Sequence, residues 1–159
     1  EHADAALAEF TRSLIALRHA HPVFRRRRFF QGVPILGEAP DIEWRTVEGL
    51  PMSEGDWQRG IPAVAILLRG DAIGELDARG EPVRDETFYL VLNGRPDGLA
   101  VHLPEPGADA DTEAGPRAAW ALVFDTAADP SFPLEPHEFE VGEEVPVAAR
   151  SVVLLRRLD

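Results

Sequence analysis

Cysteine and lysine are both absent from this sequence. Without cysteine there is no disulfide staple and no thiolate chemistry. Without lysine there is no Walker A motif, and the glycines are isolated rather than gathered into a phosphate loop. All 16 basic residues are therefore arginine, which together with the excess of alanine reads as coding bias before it reads as function. No apolar run approaches the roughly 18–20 residues of a membrane span. The opening Glu1-His2-Ala3-Asp4 is acidic where a signal peptide is basic, so no signal peptide is expected. There is no initiator methionine, which predicts a trimmed chain or a fragment. These absences suit a cytoplasmic protein.

What is present describes a globular domain. The chain has 159 residues, 45% of them hydrophobic, and a mean hydropathy of −0.16. That length predicts one domain with a core, burying about 70% of the unfolded surface. The net charge of −12 is uneven. Residues 1–30 hold six arginines against three acids, a net of +3, which leaves −15 on residues 31–159. An acidic body repels phosphate backbones and argues against nucleic acid as a partner.

Along the chain, Ala3–Ala20 predicts a helix. Leu7, Phe10, Leu14 and Leu17 recur at helical spacing, and Ile15 widens the stripe. Asp4 suits the N-cap and Pro22 stops the helix. In Val23–Phe30 the aromatics Phe24, Phe29 and Phe30 bracket four consecutive arginines, so they are expected as anchors with the guanidiniums solvated or paired to acids. Strands are predicted at Ile61–Leu68, Thr87–Asn93, Leu99–Leu103, Ala119–Asp125 and Ser151–Leu155. Asn93-Gly94 carries a hairpin signal, with Leu99–Leu103 as the return strand. Arg69–Glu86 and Pro104–Arg117 read as loops, the second a mobile one, and Ala127–Glu144 as irregular. The expected fold is mainly β: an antiparallel β-sandwich preceded by one amphipathic N-terminal helix.

The densest stretch is Asp41–Trp57, which holds Trp44, Trp57, Met52 and the turn residues Gly49, Pro51 and Gly55. Two readings follow from residue type. Each indole is a plug that buries its body, which burial propensity favours. Alternatively Trp44 and Trp57, with Trp120 a third candidate, form a stacking platform for a flat, hydroxyl-rich ligand such as a sugar.

Catalytic motifs are lacking. His2, His19, His21, His102 and His137 form no metal-binding spacing, and His19 and His21 do not share a helix face. Ser13, Ser53, Ser131 and Ser151 sit in no Gly-x-Ser-x-Gly elbow. The adjacent acids Asp85-Glu86 and Glu143-Glu144 are expected on a solvated surface. No catalytic residue, metal site or cofactor is predicted.

Several blocks in order nonetheless resemble one family. They are Leu14-Ile15-Ala16-Leu17-Arg18-x-x-His21-Pro22-Val23-Phe24 with the arginines after it, Trp44-x-x-x-x-Gly49-x-x-Met52-x-x-x-Asp56-Trp57, and Gly80-x-Pro82-Val83-x-Asp85-x-x-Phe88. Trp120-x-Leu122-Val123-x-Asp125-Thr126 and Arg150-Ser151-Val152-Val153-Leu154-Leu155 complete the series. The sequence is similar in these blocks to bacterial glycogen debranching enzymes of the isoamylase type, in the α-amylase superfamily, glycoside hydrolase family 13. The resemblance implies hydrolysis of α-1,6 branch linkages by a parent protein. The family's nucleophilic Asp, acid/base Glu and stabilising Asp lie in a (β/α)8 barrel and map onto nothing here. It further implies that residues 1–30 are the last barrel helix and exit segment, 31–60 a tryptophan-containing connection and 61–159 the C-terminal sandwich. The implied partner is the parent's barrel, with α-glucan a second candidate through Trp44 and Trp57. Self-association through Leu7, Phe10, Leu14 and Leu17 is the expectation if nothing covers that stripe.

Overall fold

The computed structural model describes residues 4–34, 39–104, 119–140 and 142–158. Its elements are α1 (Ala5–Ala20), β1 (Ile42–Arg45), α2 (Glu54–Gln58), β2 (Ala63–Leu68), β3 (Phe88–Asn93), β4 (Leu99–His102), β5 (Ala119–Asp125), β6 (Glu138–Glu140), β7 (Glu144–Val147) and β8 (Ser151–Leu158). The protein is mainly β, with one long helix at the N-terminus, as its sequence predicts. The loop expected at Pro104–Arg117 lies, after Pro104, outside the described residues. The chain divides into two compact units, Glu1–Ile42 with Leu68–Thr87, and Glu43–Leu67 with Phe88–Asp159.

The second unit is built on two sheets. One has the strand order β1-β2-β3-β8-β5-β6, and the other pairs β4 with β7. β8 is central: Tyr89 and Val91 of β3 sit opposite its Leu155 and Val153, and Leu122 of β5 also sits opposite Leu155, all in antiparallel register. The core forms where these residues, with Ala65, Leu67, Trp120 and Phe139, meet Val101, Val145 and Val147 of the small sheet. Alternating burial in β7 (Val145 and Val147 in, Glu144 and Pro146 out) is the signature of a sheet with one covered face.

Two local features depart from regular alternation. Trp120, Leu122 and Phe124 are spaced to share one face of a regular strand. A bulge between Leu122 and Phe124 shifts the register, so that Leu122 faces Leu155 while Phe124 faces Leu154. One extra residue moves Phe124 to the opposite face of the sheet. The second feature overturns the hairpin expected at Asn93-Gly94, because β3 and β4 lie in different sheets. Buried Asn93 instead turns a corner between them. Its amide donates to the carbonyls of Asp97 (3.0 Å) and Ala148 (2.8 Å), and its Oδ1 accepts the Arg95 N–H (3.0 Å). A Cβ at Gly94 would lie 2.9 Å from the Pro62 carbonyl, so the close approach favours glycine.

The first unit opens with α1, capped by Asp4, whose Oδ1 accepts the N–H groups of Ala6 and Leu7. None of the helix residues is buried; Leu7 and Ile15 are exposed, and Phe10, Leu14 and Leu17 are half-buried. After the helix, the arginine run is tied to acids. The Arg26 side chain, 5% exposed, forms a 2.7 Å ion pair with Asp41, 1% exposed. It also donates to the Ile73 carbonyl and lies 4.4 Å from the Phe30 ring centre. Arg27 pairs with Glu75 at 3.0 Å, and the backbone N–H groups of Arg27 and Arg28 donate to the same carboxylate. The expected anchoring role fails for Phe29, which is 93% exposed. Arg69–Glu86 is more ordered than a loop: Leu76 bridges Pro82 across a turn closed by Asp77, whose Oδ1 accepts the N–H groups of Arg79 and Glu81.

Burial by itself would raise the Asp41 pKa. The N–H groups of Gly32 and Gln31 and the Arg26 guanidinium outweigh it and hold the carboxyl below its ordinary range. A depressed carboxylate pKa stabilises the fold above its ordinary value, near 4, and the contribution is lost as pH falls through the folded value. Asp41→Asn leaves Arg26 buried without its counter-charge, and urea unfolding at neutral pH should show a loss of about 3 kcal/mol. The gap between wild type and variant should narrow below about pH 4; a gap that does not change with pH would rule out the ionised pair as its origin.

Candidate functional site

The Asp41–Trp57 stretch becomes a tight strand-turn-helix unit. Trp44 stands on β1, the edge strand of the large sheet. The chain then reverses: Gly49 takes φ of 78°, its N–H donates to the Thr46 carbonyl, and Arg45 bridges Pro51. The Trp44 carbonyl accepts the Met52 N–H at 2.9 Å, which returns the chain beside the strand. Arg45 locks the turn by donating to the Gly49 carbonyl at 2.7 Å and pairing with Glu43 at 2.6 Å. Ser53 then starts α2 with a reciprocal capping box: its hydroxyl accepts the Asp56 N–H, and the Asp56 carboxylate accepts the Ser53 N–H. Asp56 also pairs with Arg59. The Ser53 hydroxyl and N–H, followed by Arg59, hold the Asp56 carboxyl below its ordinary range.

This frame brings Trp44 and Trp57 together, with ring centres 5.3 Å apart and planes at 75°. The edge-to-face contact is a favourable aromatic geometry. The rings are 40% and 51% exposed, so neither is the buried plug that residue type favours. Nor are they coplanar. Trp120 is 2% exposed, packed on Tyr89 at 5.7 Å, and cannot meet a ligand at the surface. It is the plug, although its indole N–H has no acceptor among the described residues.

The same turn and helix also contribute to an open groove of about 370 Å³. Its walls come from the same turn and helix, with Glu48, Asp56 and Arg59, from Ile61 and Pro62, and from Arg95 after β3. Sequence reading missed this groove because Arg95 is remote in the chain. It also missed a pairing in the other unit. Asp85 is no solvated acid: its side chain is 6% exposed, it lies 2.8 Å from His21 Nδ1, and it accepts the N–H groups of Val23 and Glu86. His21, Asp85 and Glu86 are close enough to share a cation. Both Asp85 oxygens, however, are already engaged in fastening the residues after α1. His102 pairs with Glu144 at 3.2 Å across β4 and β7, an exposed cross-strand contact.

Fold and site together define a β-sandwich with a surface tryptophan pair. No protein-family model matches the chain. It is similar to the "Glycogen operon protein GlgX homolog" of Mycobacterium bovis and to that of Mycobacterium tuberculosis, 44% identical over 107 residues to each. The match covers 65% of this chain and 15% of either relative, so the chain spans a small part of their length. This similarity agrees with the resemblance carried by the collinear motifs. Among the described residues no helix is long and apolar enough to cross a membrane.

Ser53→Ala removes half of the capping box and should destabilise α2 by about 1 kcal/mol. Because Trp57 rides on that helix, the near-UV circular dichroism of the tryptophan pair should weaken while the far-UV β signal holds. An unchanged near-UV spectrum would show that α2 does not set the ring contact.

Proposed function

We propose that this chain is a non-catalytic sandwich domain of a glycogen-debranching enzyme of the α-amylase superfamily, acting in the cytoplasm. In this reading the parent protein hydrolyses α-1,6 branch linkages in glycogen or its limit dextrins. The 44% identity over 107 residues to the GlgX homologs carries the proposal. Residues 1–30 serve as the last helix and exit segment of the parent's barrel, 31–60 as the connection and 61–159 as the C-terminal sandwich. The domain packs against the barrel and stabilises it. The α1 stripe supports the packing role, since Leu7 is 61% exposed and no helix residue is buried. Leu7 and Ile15, the exposed apolar residues of that helix, would gain cover in such an interface.

The chain alone should release no reducing ends from a branched glucan. In the full parent polypeptide, Leu14→Glu should lower the temperature of half-inactivation by several degrees, as expected for about 1–2 kcal/mol, with KM unchanged. Debranching by the isolated chain would sink the proposal, and so would a parent indifferent to Leu14→Glu.

A second reading, contact with α-glucan through Trp44 and Trp57, is favoured by their exposure. It predicts a saturable change in tryptophan fluorescence on addition of maltoheptaose, absent from Trp44→Ala or Trp57→Ala. A flat titration to millimolar sugar leaves the packing role alone standing.

A further inference from the structure

The open groove to which the turn and α2 contribute has a composition that selects a class of ligand. Four charged side chains line it: Arg59 and Arg95 against Glu48 and Asp56, a balance of zero. An anion such as phosphate needs net positive charge, and a cation needs net negative charge. Neither fits a balanced groove. Asp56 and Arg59 satisfy each other. Arg95 and Glu48 are solvent-facing, and among the described residues no hydrogen bond or ion pair holds either side-chain head group. That leaves a fork of five donors and a carboxylate with two acceptor oxygens. Ile61, 37% exposed, and Pro62 add apolar lining to the same groove. Free donors, free acceptors and an apolar wall suit a neutral molecule with hydroxyls at its rim and C–H groups on its face. The volume of about 370 Å³ lies at the small-ligand end of the usual range of roughly 300–1,000 Å³.

The tryptophans are sequence neighbours of the groove's lining residues. Trp57 lies in α2 between the groove residue Asp56 and Arg59, and Trp44 lies two residues before the turn that forms the other wall. In an edge-to-face pair, the ring that offers its edge keeps its own faces free of the contact. We infer that the groove lined by Glu48, Ile61, Pro62 and Arg95 is a saccharide subsite that acts together with the tryptophan pair. It takes one neutral pyranose unit, with vicinal hydroxyls on Arg95 and Glu48 and its C–H face on Ile61 and Pro62. This inference rests on the glucan-contact reading of Trp44 and Trp57 and adds a second, polar half to that site.

Calorimetric titration of the chain with maltoheptaose tests it, with Arg95→Ala, Glu48→Gln and Trp57→Ala compared after thermal melts confirm that each variant folds. Wild type should bind saturably. Arg95→Ala should weaken binding about tenfold, as loss of a charged hydrogen bond predicts, Glu48→Gln should weaken it less, and Trp57→Ala should abolish the fluorescence change. Inorganic phosphate at constant ionic strength should not compete. Binding that needs Trp57 but ignores both Arg95→Ala and Glu48→Gln overturns the subsite and leaves the tryptophan reading intact. Competition by phosphate overturns the neutral-ligand class. No binding by wild type overturns the subsite and the tryptophan reading together, without touching the packing role.

Discussion

A strand with neighbours on both edges and apolar residues on both sides must have both faces covered, and β8 imposes that constraint on this protein. Val153 and Leu155 face the core shared with the small sheet, while Leu154, 2% exposed, points the other way. Pairing with β3 and β5 at once satisfies its backbone groups, which would be costly to leave unpaired in the interior. With β8 at the centre, β1 falls at the edge of the large sheet. Trp44 stands on that edge strand and is 40% exposed, whereas its strand neighbours Glu43 and Arg45 are half-buried.

Electrostatics divide the molecule differently from composition. A net charge of −12 suggests a uniformly solvated acidic surface. In the first unit, however, acids fasten the chain. Asp41 holds Arg26 and the turn at Gln31-Gly32, Glu75 holds Arg27 and Arg28, and Asp85 holds His21 and Val23. A carboxylate that accepts two or three N–H groups organises backbone that has no sheet or helix partner of its own. Gly70 approaches the same segment so closely that a Cβ there would collide with the Asp85 and Glu86 carbonyls. The groove of the second unit is the contrasting case, with a matched pair of free charges and no fastening task.

The β-rich fold was legible in the sequence because most strands announce themselves by β-branched and aromatic runs. β2, β3, β5 and β8 all lie where propensity puts them, though β8 runs to Leu158 rather than Leu155. β1, β6 and β7 escaped notice. They are three or four residues long, contain Glu or Pro, and owe their strand state to the neighbours they pair with. The helix start at Asp4 and its stop before Pro22 were legible because capping and proline chemistry act within a few residues.

The sequence by itself determined what kinds of chemistry are available: arginine without lysine, no thiol, no nucleophile elbow, two tryptophans thirteen residues apart, and the collinear motifs of a family. Only the tertiary structure decided how those groups are used. It made Trp120 the plug and Trp44 and Trp57 the exposed pair, it broke the Asn93-Gly94 hairpin into a corner between sheets, and it brought Arg95 and Glu48 to the lining of one groove. The reason is physical. Propensity, capping and turn chemistry are local and can be read from neighbours in the chain. Burial and charge pairing depend on residues that are far apart in sequence and meet only when the sheets close.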